Sequence, residues 1–216
     1  MRTPKSDALA TSFTFASVPD TISPREGLLD TAERLFAEGG VAATSVRAIT
    51  SAAGANVAAI NYYFGSREGL LRELISRRQV PLNQERLRRL ALCQAARAPG
   101  TPEVAEVLDA LATPALDLCF EHPHFARLAS RLRAELDPSL WREYRSQQAE
   151  VTERFREALQ LALPDLAPAE ISTRLHYVLG GLQHVWAHCP LPADESPELV
   201  RQRFLAFFGA GLRAAA

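Results

Sequence analysis

The stretch TSVRAITSAAGANVAAINYYF, Thr44 to Phe64, decides how the rest of the chain is read. Val46, Ile49, Ala52 and Ala53 recur at helical spacing, Gly54 interrupts them as a C-terminal stop, and Asn56 is placed to accept backbone N–H bonds where a second helix starts. The pattern is helix, tight turn, helix. In the second helix Ile60 and Phe64, four apart, share one face, which leaves Val57, Ala58, Ala59, Asn61, Tyr62 and Tyr63 pointing elsewhere. Small side chains let a helix approach a surface closely, and Asn and Tyr bring hydrogen-bonding tips. That combination suits a helix laid in the major groove of DNA. A helical hairpin inside any core could show the same bare pattern, so the flanks decide.

Upstream, PREGLLDTAERLFAEGG (Pro24 to Gly40) is an amphipathic helix with Leu28, Ala32, Leu35 and Phe36 on one face and a glycine stop. Downstream, GSREGLL (Gly65 to Leu71) caps one helix and starts another. The run AERLFAEGG, then TSVRAITSAAG, then the aromatic cluster YYFGSREGLL closely resembles the N-terminal domain of the TetR family of bacterial transcriptional regulators. The resemblance implies an all-α chain of about nine helices. It implies a mobile tail at residues 1–22, a three-helix helix-turn-helix DNA-binding domain at 23–65, and a helical regulatory and dimerisation domain at 66–216.

With 216 residues, 47% hydrophobic and 23% charged, the chain has enough apolar material for one large or two small domains. No apolar run approaches membrane-spanning length and the N-terminus has no continuous apolar signal region, so a cytoplasmic location without membrane contact is expected. Cys93, Cys119 and Cys189 are odd in number and far apart, and they read as buried thiols rather than a disulfide framework. The net charge of -1 is unlike the basic footprint of most nucleic-acid binders. From Arg25 to Arg78, seven arginines (25, 34, 47, 67, 72, 77, 78) meet six acids (Glu26, Asp30, Glu33, Glu38, Glu68, Glu73), a local excess of one positive charge. Phosphate contacts therefore fall to a few placed groups, to hydroxyls and to helix N-terminal N–H groups, doubled by dimerisation. Lys5 is the sole lysine, and with Arg2 it lies in the tail, where it could graze phosphates or stay idle.

In chain order, Ser23 caps a first helix with Pro24 at its first position; further helices follow over about 46–53 and 57–64, and a fourth starts after Ser66. Pro81 should bend or break that fourth helix, which reads as a kinked rod of about 25 residues ending before Gly100. The remaining pattern is helical throughout, with proline or Asp-Pro starts near Pro102, Pro123, Pro138, Pro168 and Pro197.

Residue roles follow from the resemblance. It assigns Val57, Ala59 and Asn61, with Ala58 beside them, to base edges, and Thr44, Arg47, Tyr62, Tyr63 and Arg67 mainly to phosphates. Many relatives carry polar side chains where this chain has Val57 and Ala59, a Tyr in place of Asn61 and a His in place of Tyr63; readout here would combine apolar contact with thymine methyls and Asn61 on an adenine. Relatives dimerise through their last two helices, which gives Ile171, Leu175, Val178, Leu182 and Val185 on one and Phe204, Phe207 and Phe208 on the other, with Gly180 and Gly181 permitting close approach. The effector pocket of relatives lies between helices five and eight. Candidates to line it are Leu111, Leu118, Phe125, Leu128, Trp141, Tyr144 and Tyr177, and similarity to relatives that sense fatty or acyl molecules points to a largely apolar effector.

The expected function is a homodimeric, ligand-responsive regulator, most simply a repressor on a palindromic operator, with no cofactor and no catalytic role. Two rivals stand beside it. One is a ligand-independent dimeric DNA-binding protein. The other is a metal-dependent enzyme using His184 and His188, four apart, with His176 and Cys189 nearby; that pair lacks the adjacent Glu of a zinc-protease helix, and no metal site is assigned. His122 and His124, flanking Pro123, read as turn and cap residues.

Overall fold

The computed structural model describes residues 23–188 and 195–215. These form nine helices and no strand: α1 (Pro24–Gly39), α2 (Val46–Ala52), α3 (Ala58–Phe64), α4 (Arg67–Arg97), α5 (Val104–Glu121), α6 (Pro123–Glu135), α7 (Pro138–Ala162), α8 (Pro168–Ala187) and α9 (Pro197–Arg213). Their starts have local causes. The Ser23, Ser45, Ser66 and Ser196 hydroxyls accept from the backbone N–H three residues on, and Asp137 accepts from Ser139. Proline opens α1, α6, α7, α8 and α9, where a missing N–H costs nothing. Gly54 leaves α2 at φ 64°, a left-handed conformation that the turn into α3 requires.

α1 to α3 close around Leu28, Leu29, Phe36, Ile49 and Ile60, and this cluster continues without a break into Leu70, Leu71 and Leu74 of α4. α4 then carries the chain into the body. At its centre lies α5, buried on nearly all sides and contacted by α4, α6, α7, α8 and α9. Polar contacts also join head to body. The Val41 N–H donates to Glu135 of α6 at 2.6 Å, and Arg77 of α4 reaches Glu26, Asp30 and Glu33 of α1 at 2.8 to 3.0 Å.

α4 runs as one helix through the exposed Pro81 to Arg97, the continuous rod expected, at 31 residues rather than about 25. Two expectations are corrected. Cys119, completely buried on α5, is disulfide-bonded rather than a free thiol, whereas Cys93 is free. Cys189 and the tail with Arg2 and Lys5 lie outside the described residues. Finally, the stripe Ile171, Leu175, Val178 and Leu182 is 0 to 3% exposed, turned into the protomer's own core against α5 and α6, with Phe204 beside it. Those five side chains have no surface left for a second copy. Val185 and Phe208 are partly buried against the same core, and Phe207 alone of the eight is open, at 73%. Of the two glycines, Gly181 is the one that lets α8 and α9 meet, since a Cβ there would lie 2.3 Å from the Phe208 ring; Gly180 faces open space.

Candidate nucleic-acid interface

Burying Ile49 and Ile60 fixes which sides of α2 and α3 face out. The outward surface carries Ser45, Arg47, Ala48, Ser51 and Ala52 from α2, Asn56 in the turn, and Val57, Ala58, Asn61, Tyr62 and Tyr63 from α3. Asn56 Oδ1 accepts from Ala58 N–H at 2.9 Å, which closes the first turn of α3. Tyr62 is the most prominent group, 82% exposed, with Tyr63 edge-on to it at 4.8 Å between centroids. Val57, 44% exposed, presents a bare apolar surface. The side chains across this face are short apart from the tyrosines and Arg47, so little stands between the α3 backbone and an approaching ligand.

Ala59 is not on that face. It is partly buried and packed against the head core, and the alanine exposed there is its neighbour Ala58, one residue round the helix. Thr44 and Arg67 are also corrected. Thr44 is buried, and its hydroxyl donates to the carbonyls of Gly40 at 2.8 Å and Leu35 at 3.2 Å, tying the loop to the end of α1. The Arg67 guanidinium donates to the Thr44 carbonyl at 3.1 and 3.2 Å and to that of Val41, and lies 5.6 Å over the Phe36 ring. Both residues hold the α1–α2 loop and are not free for phosphate.

The other arginines of the head are equally engaged. Arg25 pairs with Glu26 and Glu73, Arg34 with Glu38, Arg72 with Glu143, Arg77 with three acids of α1, and Arg78 with Glu33. Among the described residues from 25 to 78, Arg47 is the one arginine whose side chain enters no ion pair or hydrogen bond, and it is exposed on the α2 face. At the α4 N-terminus, hydrogen bonds from its own backbone N–H and the Ser66 hydroxyl hold the Glu68 carboxyl below its usual range. A negative charge already occupies that helix end. Ser45, Ala48 and Ser51 were missed in the sequence, although they are what remains on α2 once Val46, Ile49 and Ala53 are turned inward.

The effector candidates are not gathered in one place. Leu111, Phe125 and Leu128 are fully buried core, and Leu118 and Trp141 are partly buried against it. Tyr177 stands at the outer surface of α8, 67% exposed, away from any interior site. Tyr144, stacked on Trp141 at 5.4 Å, lines a shallow open cleft between α4 and α7 with Leu71, Ile75, Leu136 and Leu140, and the space it encloses is only about 20 Å³. The His184 and His188 rings lie 4.3 Å apart, but His188 Nδ1 is engaged by the His184 carbonyl at 2.8 Å. Among the described residues no three His, Cys, Asp or Glu side chains are grouped to hold a metal, and no helix is long and apolar enough to cross a membrane.

Two family descriptions match the chain: bacterial regulatory proteins of the tetR family over residues 28–74, and the tetracyclin repressor-like C-terminal domain over residues 109–211. A probable HTH-type transcriptional regulator of Bacillus subtilis, YttP, is 40% identical over 55 residues, a match that spans 26% of this chain and 27% of that protein. In three dimensions the chain is similar to a TetR-family transcriptional regulator from Bordetella parapertussis, with TM-score 0.68 and 19% identity over 87% of this chain and 95% of the other. It is also similar to the ketosteroid transcriptional regulator KstR2 of Mycobacterium tuberculosis, with TM-score 0.66 and 20% identity over 88% and 95%. The first match runs from within α1 through α2 and α3 into the start of α4 and the second from within α5 into α9, and on both the chain belongs to the TetR family of bacterial regulatory proteins.

Proposed function

We propose that the chain is a transcriptional regulator that binds duplex DNA as a homodimer on a palindromic operator, acts as a repressor, and is released by a small, largely apolar molecule. The observation that carries this reading is the α2–α3 face itself: a helix held out on a rigid core, presenting Val57, Ala58, Asn61 and Tyr62 with nothing bulky around them. Asn61 reads an adenine, Val57 and Ala58 meet thymine methyls, and Arg47 and the two tyrosine hydroxyls contact phosphates. In this reading residues 23–65 are the reading head and 66–216 the regulatory and dimerising body, and the protein works in the cytoplasm beside its DNA.

The second copy packs on the outer faces of α8 and α9. There Tyr177 and Phe207 stand exposed, and Gly180 leaves room for a close neighbour. The effector shifts a two-state equilibrium, preferring a dimer whose heads no longer match successive major grooves. α4 and the α1–α6 contacts through Glu135 are the rigid links that would carry the change. Complete burial of Leu111, Phe125 and Leu128 favours, as a second reading, a ligand-independent protein with a closed body.

Selection of bound sequences from a random duplex pool by the purified protein tests the main reading. A palindrome with half-sites one helical turn apart is expected. Recovery of no preferred sequence from protein freed of bound small molecules would refute it.

A further inference from the structure

The outer side of α8 carries three of the chain's five histidines. His176, Gly180, His184 and His188 follow one another at four-residue steps and all four are exposed, so they form one ridge along the helix, with a gap where Gly180 has no side chain. The opposite stripe of α8, from Ile171 to Leu182, is turned into the protomer's own core, which holds this ridge outward. From Leu175 to Ala187 the helix contains no Asp, Glu, Lys or Arg. The imidazoles are therefore the chemistry-bearing groups of that surface.

Two of the three rings are already set in the orientation that a metal needs. His176 Nδ1 lies 2.6 Å from the Ser172 carbonyl and His188 Nδ1 lies 2.8 Å from the His184 carbonyl. A carbonyl can only accept, so in both neutral rings Nδ1 carries the proton and Nε2, on the far side of the ring, keeps its lone pair. Ligating imidazoles are commonly held in this way, one nitrogen donating to a carbonyl and the other facing the ion. The His184 ring stands 4.3 Å from that of His188, inclined at 41°, and makes no hydrogen bond among the described residues. One copy thus offers a chelating pair one helical turn apart. Two ligands do not close a site, and among the described residues no third His, Cys, Asp or Glu of the same copy joins them.

We propose that a second copy completes the site: His184 and His188 of one protomer, with His176 of the partner subunit, hold a divalent transition-metal ion of the zinc class, twice in each dimer. The inference rests on the homodimer reading above and adds a ligand to its interface. Gly180 is where two copies of α8 approach most closely, since a Cβ there would meet nothing within 4 Å. A two-fold axis passing at Gly180 reverses the second helix and sets the two ridges side by side in opposite directions. His176 and His184 each lie four residues from Gly180, about 6 Å along the helix, so the axis brings His176 of the partner subunit beside His184 and repeats the arrangement on the other side. Three imidazoles suit zinc, copper or nickel and not the oxygen-seeking calcium or magnesium, and they leave a fourth position for water. With no carboxylate on this stretch of α8 to act as a base, the ion serves to tie the copies together. An ion that binds the dimer and not the monomer shifts the equilibrium toward the DNA-reading form.

The test uses the untagged full-length protein, stripped of metal by a chelator, with Zn²⁺ as the probe. Calorimetry reads binding, sedimentation reads the oligomeric state, and exchange of subunits between two labelled pools reads the lifetime of the dimer. One ion per chain should bind, and zinc should slow subunit exchange by about tenfold or more. His176→Gln should keep a weaker ion on the remaining pair and lose the slowing. His184→Gln combined with His188→Gln should lose both, and because all three side chains are exposed, every variant should keep the zinc-free melting temperature and dimer of the wild type. A zinc-free dimer that binds no zinc, that binds it without a change in exchange (an adventitious ion only), or whose slowing survives His176→Gln would overturn the site and leave the homodimer reading standing. A chain that stays monomeric with and without zinc would overturn that reading and the site together.

Discussion

The head and the body treat their arginines in opposite ways. In the head six of the seven arginines between residues 25 and 78 are committed to acids or carbonyls, and Arg47 is left to face outward. In the body, Arg86, buried along most of its length, gives its Nε to the Leu111 carbonyl and meets no acid among the described residues. The contrast teaches where charge is structural and where it is available. A surface that must meet a polyanion can rely on shape, hydroxyls and one cation, because DNA brings ample charge of its own.

The largest effect expected from breaking this contrast is at Arg67. Arg67→Ala removes its bonds to the Thr44 and Val41 carbonyls and its packing on Phe36, and should destabilise the head by about 3 kcal/mol in thermal or denaturant melts. A variant that melts like the wild type but binds DNA poorly would return Arg67 to the phosphate contacts. Next comes Asn61→Ala, expected to relax preference at one base pair by about 2 kcal/mol in competition binding with stability unchanged; uniform weakening on all sequences would move Asn61 off the base edge. In the body, Gly181→Ala should cost about 1 to 3 kcal/mol because its Cβ meets the Phe208 ring. Gly180→Ala meets nothing within its own chain, so it should leave the fold of each copy intact and act only by weakening the close contact between copies.

The smallest effect concerns His122 at the α5–α6 junction, where burial first and then the Arg78 charge lower its affinity for a proton. Arg78 Nη1 lies 3.1 Å from His122 Nε2, a contact that needs the neutral ring as acceptor. The folded pKa therefore lies below the ordinary value of 6.5, and the unfolded chain binds the proton more readily. Stability should be complete above that value and decline as pH falls through it toward the folded pKa. Melting temperatures followed from neutral to mildly acid pH should show a fall that His122→Gln removes. An unchanged profile would exclude His122 from the linkage.

Much of the architecture was legible because its signals are local. A serine cap, a proline at the first helical position and a glycine at positive φ each act within one turn, so the starts of α1, α6, α7, α8 and α9 and the end of α2 could be read directly. What was not legible depends on which neighbour a side chain meets. The stripe from Ile171 to Leu182 reads the same whether it faces its own core or a second copy, and only the position of α5 and α6 turned it inward. Ala58 and Ala59 differ by one step round a short helix. Arg67 meets carbonyls, which have no sequence signature, and Cys119 is bonded through a spatial pairing that spacing does not encode. The same is true of Arg86, whose lack of an acid appears only once its surroundings are assembled.

The most direct test of the account is the salt dependence of binding to the selected operator, for the wild type and for Arg47→Ala. With one arginine side chain free per head among the described residues, log affinity should fall with log salt at a slope of about −2 for the dimer, and Arg47→Ala should flatten it nearly to zero. A slope of about −6 or steeper that Arg47→Ala leaves unchanged would place the DNA-binding charge elsewhere and contradict the account.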